Sequence, residues 1–262
     1  LRMTPEISLE TQKIIGADII MAFDQCTPDV AERRVVLQAM ERTHRWLAQS
    51  CEYQAKYPNS RYGHAQALFG IIQGGYERDL REQSLAYVCK MPCDGIAIGG
   101  EMIGFDMAKT REVLGWLVPD LPTDKIRYTM GVGLHPQNLL DVVKAGVDIF
   151  DCVAPTRNAR HGTLYHGKVV ATDDDWLAFE SDQEKGKIDI KKAKYVQDSS
   201  PIMSDCDCYT CQHYSRAYLH YLFKTKSLFF GQLASIHNVR VMHKVCEAMR
   251  ECIITKACEE VV

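Results

Sequence analysis

Residues 147–162 read VDIFDCVAPTRNARHG, and the fold follows from how this stretch is parsed. Val147-Asp148-Ile149-Phe150 is a short, mostly apolar run, the pattern of a buried strand. Asp151 stands where that strand ends, and Pro155, Arg157, Arg160 and Gly162 follow. A carboxylate at the carboxyl end of a parallel strand is where α/β barrels keep their chemistry. Two guanidinium groups on the loop beyond it suit an anionic, phosphate-bearing substrate. An Asp that caps a loop beside two solvated arginines would read the same way, so the loop alone leaves the function open.

The same punctuation recurs upstream. Thr4-Pro5-Glu6 starts a helix over 6–15, closed by Gly16. Residues 17–23 (ADIIMAF) form a continuous apolar strand that runs into Asp24. A helix over 29–56 and a loop over 58–64 lead to the second strand, 67–73 (ALFGIIQ), which ends at Gln73-Gly74-Gly75. A helix over 77–90, a strand over 95–98 ending in Gly99-Gly100, and a helix over 107–117 closed by Pro119 and Pro122 come next. The fourth strand, 126–131, opens into Gly131-Val132-Gly133, and a helix over 137–145 precedes the fifth, 147–150. Strands alternating with helices argue for parallel βα units, near-continuously apolar because both faces are buried. Asp, Gln or Gly at five successive strand ends suits a barrel rim better than a doubly wound sheet.

A closed barrel needs eight strands, and five precede the change of character after Gly162. Because the chain opens at Leu1 without an initiator methionine, the expectation is a TIM (β/α)8-type barrel incomplete at its N-terminus. The barrel portion with the active-site rim is placed at 1–162. A C-terminal zinc-binding region with closing helices is placed at 163–262. Within the latter, 163–171 reads as a hairpin and 172–194 as an exposed, charged insertion carrying Lys185, Lys187, Lys191, Lys192 and Lys194. Helices are expected over 214–223, 228–235 and 239–252.

Of the 262 residues, 46% are hydrophobic and 25% charged, enough for a sizeable core. With 31 Lys+Arg against 34 Asp+Glu the net charge is −3, so any nucleic-acid binding must come from a local patch. No apolar run reaches membrane-spanning length and no signal-peptide pattern opens the chain, which points away from a membrane and towards the cytoplasm. The eleven cysteines are unevenly spread, and three crowd into Cys206-Asp207-Cys208-Tyr209-Thr210-Cys211. A metal site in a reducing compartment explains that crowding better than a disulfide framework does. Tetrahedral zinc wants four ligands, and His213, His220, His237, His243, Cys246 and Cys252 are the candidates for the fourth. His213 is too close to Cys211 to share the tetrahedron without strain, whereas His237 can fold back over the turn. Three cysteines and a histidine close the coordination sphere, which makes such a zinc structural.

Taken together, FDQCTP (23–28), GIIQGG (70–75), AIGG (97–100), GVG (131–133), FDCVAPTRNARHG (150–162), CDCYTC (206–211) and SIHN (235–238) resemble the tRNA-guanine transglycosylases, also called queuine tRNA-ribosyltransferases. The resemblance is to the bacterial type and spans nearly the whole chain in order. It implies a TIM barrel with one structural Zn2+ held by Cys206, Cys208, Cys211 and His237, usually in a homodimer. It also implies the replacement of guanine at the wobble position of tRNAs with GUN anticodons by a 7-deazaguanine base, either 7-aminomethyl-7-deazaguanine or queuine, in queuosine biosynthesis.

Asp151 matches the family's nucleophile, which forms a covalent glycosyl intermediate as in retaining glycosidases. Asp24, Gln73 and Gly100 match its base-binding positions. A carboxylate accepts the N1–H and N2–H2 of guanine, a carboxamide offers donor and acceptor together, and a bare backbone N–H meets the carbonyl. Two segments match its RNA-contacting loops: Gly131, Val132, Gly133, Leu134, His135, Pro136 and Gln137, and then Thr156, Arg157, Asn158, Ala159 and Arg160. The pocket wall falls at Cys26 and Ile103, where a large Ile103 favours the small aminomethyl precursor. Three departures stand out: the family's N-terminal Asp-Ser-Gly-Gly motif is absent, segment 172–194 is longer than usual, and Glu101-Met102 replace Leu-Ala. The family also includes non-catalytic subunits that lack the nucleophile, and the presence of Asp151, Asp24 and Gln73 argues against that reading.

Overall fold

A computed structural model describes residues 2–259. Helix α1 (Pro5–Ile15) opens where expected: the Thr4 side chain accepts from the Ile7 N–H, Pro5 fills the first turn, and Gly16 closes the helix at φ 81°. Strand β1 (Ile19–Met21) is shorter than the apolar run that encodes it. Helix α2 (Arg33–Lys56) starts four residues later than the sequence pattern, because a turn from Pro28 to Ala31 holds the intervening chain. Strand β2 (Ala67–Ile72), α3 (Arg78–Val88), β3 (Gly95–Ile98), α4 (Met107–Leu117), β4 (Ile126–Thr129), α5 (Pro136–Lys144) and β5 (Ile149–Phe150) complete the alternation.

The five strands form one parallel sheet in the order β1-β2-β3-β4-β5. Ile20 pairs with Leu68, Ile71 with Ala97, Ile98 with Thr129, and Tyr128 with Ile149. Strand order that follows chain order is the winding of a barrel wall. A doubly wound sheet reverses its order at a switch point. The described residues therefore form part of an α/β barrel, five strands of the eight that closure requires. Leu68, Phe69, Ile71 and Ile72 are buried, as are Ile96, Ala97 and Ile98, as expected of strands covered on both faces.

The chain folds as two compact units. One comprises residues up to Val132 together with Ala145–Asp151, and so holds the whole parallel sheet with α1 to α4. The other comprises Gly133–Lys144 and the chain from Cys152 onwards.

In this second unit the local expectations need correction. The segment after Asp151 is no loop: Ala154–Arg160 is helix α6, started by Pro155, with Arg157 and Arg160 in its last turn. Residues 163–171 are not a hairpin. Strand β6 (Thr163–Tyr165) pairs with β9 (Lys187–Asp189), whereas β7 (Lys168–Ala171) pairs with β8 (Leu177–Glu180). Gly167 makes this separation possible at φ 146°, where a Cβ would sit 2.4 Å from the Glu180 carbonyl. Segment 172–194 is accordingly partly folded inward: Ile188 and Ile190 are buried. Helices α7 (Tyr209–His213) and α8 (Arg216–Lys224) precede a single helix α9 (Leu228–Glu259), where two were expected. The gap expected at 236–238 is helical too, and His237 and Asn238 within it are fully buried.

Asn238 explains why. Its Oδ1 accepts from the Tyr165 N–H at 2.9 Å, and its Nδ2 donates to the carbonyls of Pro155 (2.9 Å) and Thr163 (3.0 Å). A buried amide with every group matched ties α9 to β6 and to the start of α6. Asn238→Ala strands three main-chain groups, and since each orphaned group costs about 1–3 kcal/mol, a loss on the order of 3 kcal/mol is expected. Urea denaturation measures it, and a loss below about 1 kcal/mol would mean that water replaces the amide.

Candidate active site and metal centre

The carboxyl ends of the five strands define one rim, and the sequence-predicted residues lie along it within the first unit. Asp24 follows β1 by three residues, Gln73 directly follows β2, Gly99-Gly100 directly follow β3, Gly131 lies beyond β4, and Asp151 directly follows β5. The structure brings Asp24 and Gln73 together: Gln73 Nε2 donates to Asp24 Oδ2 at 2.7 Å. Gln73 is buried and held from behind, its N–H donating to Ser84 Oγ at 3.2 Å. Gly99 leaves room for the carboxamide, because a Cβ there would lie 2.8 Å from Gln73 Nε2. Burial pushes the Asp24 carboxyl above its ordinary range, while the Gln73 hydrogen bond pulls it down. The pair therefore presents a half-buried acceptor beside an amide whose carbonyl oxygen remains for a ligand.

Asp151 is exposed at the end of the shortest strand. Its Oδ1 accepts from the Tyr128 hydroxyl at 2.5 Å and from the Gly131 N–H at 3.3 Å. Tyr128 belongs to β4, directly opposite Ile149 in the ladder, so β4 itself steers the carboxylate of β5. Burial and the adjacent carboxylate push the Tyr128 phenol up, so it stays a donor. Tyr128 was not anticipated. A tyrosine one residue from the end of its strand, beside a strand that runs into Asp, is the signal that could have flagged it.

Arg81 was also missed. It is fully buried on α3 and its guanidinium donates to three carbonyls at the strand ends: Gly75 (2.7 Å), Ile72 (3.1 Å) and Gly99 (2.7 Å). In sequence it is one more arginine on a polar helix. Around the predicted pocket wall, Ile103 is buried and lies 3.5 Å from where a Cβ would stand on Gly100. Cys26 is exposed. Glu101 accepts the Asp29 N–H at 2.8 Å, which joins the loops after β3 and β1.

The remaining predicted positions separate by exposure. Arg157 and Arg160 are exposed, three apart on α6 and hence on one face. Thr156 and Asn158 are partly exposed, with Asn158 Nδ2 donating to the Tyr165 hydroxyl at 3.2 Å. Val132 and Ala159 are fully buried, so their side chains serve packing. His135 and Gln137 are committed within the second unit: His135 Nε2 meets the Lys185 carbonyl at 3.1 Å and Gln137 Oε1 accepts the Phe179 N–H at 2.8 Å. Gly133 is buried at φ 134°, Leu134 offers its carbonyl to Lys187 Nζ at 3.0 Å, and Pro136 begins α5.

Cys206, Cys208, Cys211 and His237 converge as a second, separate site. All four are buried and their ligand atoms lie within 4.8 Å of one another. His237 Nδ1 stands 3.8, 3.6 and 3.3 Å from the three sulfurs in turn. His237 Nε2 lies 2.8 Å from the Tyr165 carbonyl. A carbonyl can only accept, so Nε2 carries the proton and the Nδ1 lone pair faces the thiolates, the arrangement of a metal-ligating histidine. Three soft sulfur donors and one imidazole nitrogen, closed on one another in this way, can hold a metal ion. None of the other candidates falls in this group among the described residues. His213 Nδ1 lies 2.9 Å from the Tyr209 carbonyl and His220 Nδ1 2.7 Å from that of Ile190.

Among the described residues no helix is long and apolar enough to cross a membrane. The family model of queuine tRNA-ribosyltransferase matches residues 1–262, the full length of the sequence. Proteins called queuine tRNA-ribosyltransferase from Dechloromonas aromatica and Herpetosiphon aurantiacus are each 41% identical over 253 residues, covering 97% of this chain and 62% and 58% of their own lengths. One of the same name from Pseudomonas aeruginosa is 41% identical over 251 residues, with 96% of this chain and 61% of the relative covered. The chain thus spans about three fifths of the curated relatives it matches. A family model matched from end to end, on a parallel barrel wall followed by a cluster of three cysteines and a histidine, leaves one conclusion: the chain belongs to the queuine tRNA-ribosyltransferase family.

Proposed function

We propose that this chain carries the active centre for exchanging guanine at the tRNA wobble position for a 7-deazaguanine base. The observation that carries the reading is the rim itself. An exposed carboxylate steered by two donors shares one strand edge with a half-buried carboxylate–carboxamide pair. A nucleophile and a base-reading pair are what a displacement at the anomeric carbon needs.

In this reading Asp151 attacks C1′ of the ribose. The C1′–N9 bond breaks, its electron pair leaves with guanine, and a ribosyl ester of Asp151 remains. The N9 of the incoming base then attacks C1′, displaces the carboxylate and gives up its proton to water, while the departed guanine anion takes one up from water. Tyr128 and the Gly131 N–H hold the carboxylate on its line of attack. Asp24 accepts the N1–H and N2–H2 donors of the base, Gln73 reads the adjoining edge, and the Gly100 N–H meets the O6 carbonyl. Arg157 and Arg160 on α6, with the main chain of Gly131–Gln137, contact the phosphates and bases around the wobble nucleotide. Ile103, packed beside Gly100, leaves space for the small aminomethyl precursor rather than queuine.

The cluster of three cysteines and His237 suits zinc, which there fixes structure and takes no part in the displacement. The exposed rings of Tyr209, Tyr218 and Tyr221, linked through the half-buried Tyr214 between α7 and α8, suit a homodimer contact. Three reduced thiolates suit a cytoplasmic protein.

Asp151→Asn should lower exchange by on the order of 10^4 or more while leaving tRNA affinity nearly unchanged, since the amide cannot form the ester. Denaturing gels should show a tRNA–protein adduct with the wild type and none with the variant. An adduct of equal yield in Asp151→Asn would move the nucleophile elsewhere.

Base binding should depend on pH through Asp24. Only the ionised carboxylate accepts two donors, and burial raises its pKa in the free site. Affinity is therefore full above that raised pKa and declines by about tenfold per pH unit below it. The same shift penalises ionised Asp24 in the fold, a cost absent at low pH and complete at neutral pH. Asp24→Asn should thus lose the base yet raise the melting temperature at neutral pH. Equilibrium dialysis with labelled guanine and a thermal melt test both. A variant that melts lower would return Asp24 to a structural role.

His237→Ala should release the metal, which atomic emission after dialysis reads directly, and should loosen the second unit. Full zinc occupancy in that variant would exclude His237 as the fourth ligand.

A further inference from the structure

Arg81 is a buried charge whose surroundings stability alone does not explain. Its guanidinium is fully shielded from solvent, and no carboxylate pairs with it among the described residues. Burial pulls it down to about 10, so it remains a cation at neutral pH. An unpaired buried charge is costly, and packing would favour an apolar side chain of similar size. Nε and Nη1 reach three carbonyls, those of Gly75, Ile72 and Gly99. Nη2 has no partner. It lies 2.6 Å from where a Cβ on Gly100 would be, so a side chain at position 100 would displace it.

The Gly99 carbonyl and the Gly100 N–H belong to one peptide unit. Arg81 Nη1 grips the oxygen end of that unit at 2.7 Å. The peptide is trans, so its N–H points the opposite way, and no acceptor meets it among the described residues. A cation on the oxygen of an amide withdraws electrons from its nitrogen and makes the N–H a stronger donor.

We propose that Arg81 is a positioning residue for base exchange: through the Gly99–Gly100 peptide it fixes and polarises the donor that meets the O6 of the base. This rests on the reading that the Gly100 N–H contacts that carbonyl. When the C1′–N9 bond breaks, its electron pair stays with guanine and the negative charge spreads over the ring onto O6. A pre-polarised N–H there is worth more to the leaving base than to the bound nucleotide, as donors in oxyanion holes are. The fully buried cation thereby reaches the reacting system without touching it.

The test compares guanine with 6-thioguanine, which keeps the N1–H and N2–H2 donors but presents sulfur, a weaker acceptor, at position 6. The wild type should prefer guanine. Arg81→Met should weaken guanine binding by about tenfold and 6-thioguanine binding by less than about threefold. Its exchange kcat should fall by about 10^2, more than its affinity does. Circular dichroism and zinc content verify folding. Should Arg81→Met not fold, Arg81→Lys and Arg81→Gln carry the comparison. The lysine keeps the cation and should keep the preference, and the neutral amide should lose it. Equal weakening of both bases, or a glutamine variant that discriminates like the wild type, would reduce Arg81 to a tie between loops and overturn the proposal. A wild type that binds the two bases equally would overturn it as well, and would place the fault in the Gly100 contact rather than in Arg81.

Discussion

Parallel pairing with a sequential strand order is the constraint on which the site depends. In such a sheet every strand delivers its last carbonyl and the next side chain to the same edge. Asp24, Gln73, Gly100, Gly131 and Asp151 are far apart in the chain, yet each is set by the point at which its own strand stops. The registers make this strict. Ile72 pairs with Ile98 and Thr129 with Phe150, so Gln73, Gly99 and Asp151 all occupy the first position beyond the ladder. A one-residue slip of β5 would turn Asp151 to the other face of the sheet and away from Tyr128.

The rim poses a problem that its glycines and Arg81 solve together. The carbonyls of Ile72, Gly75 and Gly99 converge on Arg81 of α3, and buried carbonyls need donors, although that of Ile72 already accepts the Gly99 N–H at 3.2 Å. A guanidinium offers five donors in a rigid fork, which suits three converging oxygens better than water or a lysine would. The close approach requires that nothing project from Gly99 or Gly100, where a Cβ would collide with Gln73 and with Arg81 respectively. Two carboxylates on this edge then acquire different characters. Asp24 is desolvated and shifted towards its neutral form, the condition of a group that gains by receiving donors. Asp151 stays exposed and anchored through one oxygen, which leaves the other available to react.

How much of this was legible depended on whether a residue's role was local. Strand ends marked by Asp, Gln and Gly gave the parallel sheet and its rim, and β3 and α4 match their expected limits, because hydrophobic runs and turn residues report local conformation directly. The Cys206–Cys211 turn was legible for the same reason. Arg81 and Tyr128 were not, since their roles arise from partners brought in by tertiary pairing. Helix α6 was read as loop because its seven residues carry no apolar period, and only Pro155 marks its start. Helix α9 was split in two because His237 and Asn238 occupy its buried face, where periodicity demands apolar side chains. The pairing of β6 with β9 rather than β7 spans a segment whose charges suggested a solvated loop.

Tyr165 shows what a metal site can organise within the second unit. Its carbonyl meets His237 Nε2 at 2.8 Å and its N–H donates to Asn238 at 2.9 Å, so two consecutive residues of α9 grip both sides of one β6 residue. Its hydroxyl donates to the Gly133 carbonyl at 3.2 Å and receives the Asn158 amide at 3.2 Å. One buried side chain therefore joins the metal ligand to α6 and to the segment that opens with Gly133. A metal ion on Nδ1 would fix the His237 ring, the ring would fix the Tyr165 main chain, and that main chain sets where the phenol can reach. If α6 and the Gly133 segment meet RNA, the metal contributes to their placement through hydrogen bonds of ordinary length, without approaching the nucleic acid. An ion held by His237 would then act on α6 and the Gly133 segment to the extent that Tyr165 is rigid. Burial of the whole residue, with donors and acceptors matched at both its main-chain and hydroxyl ends, makes it so.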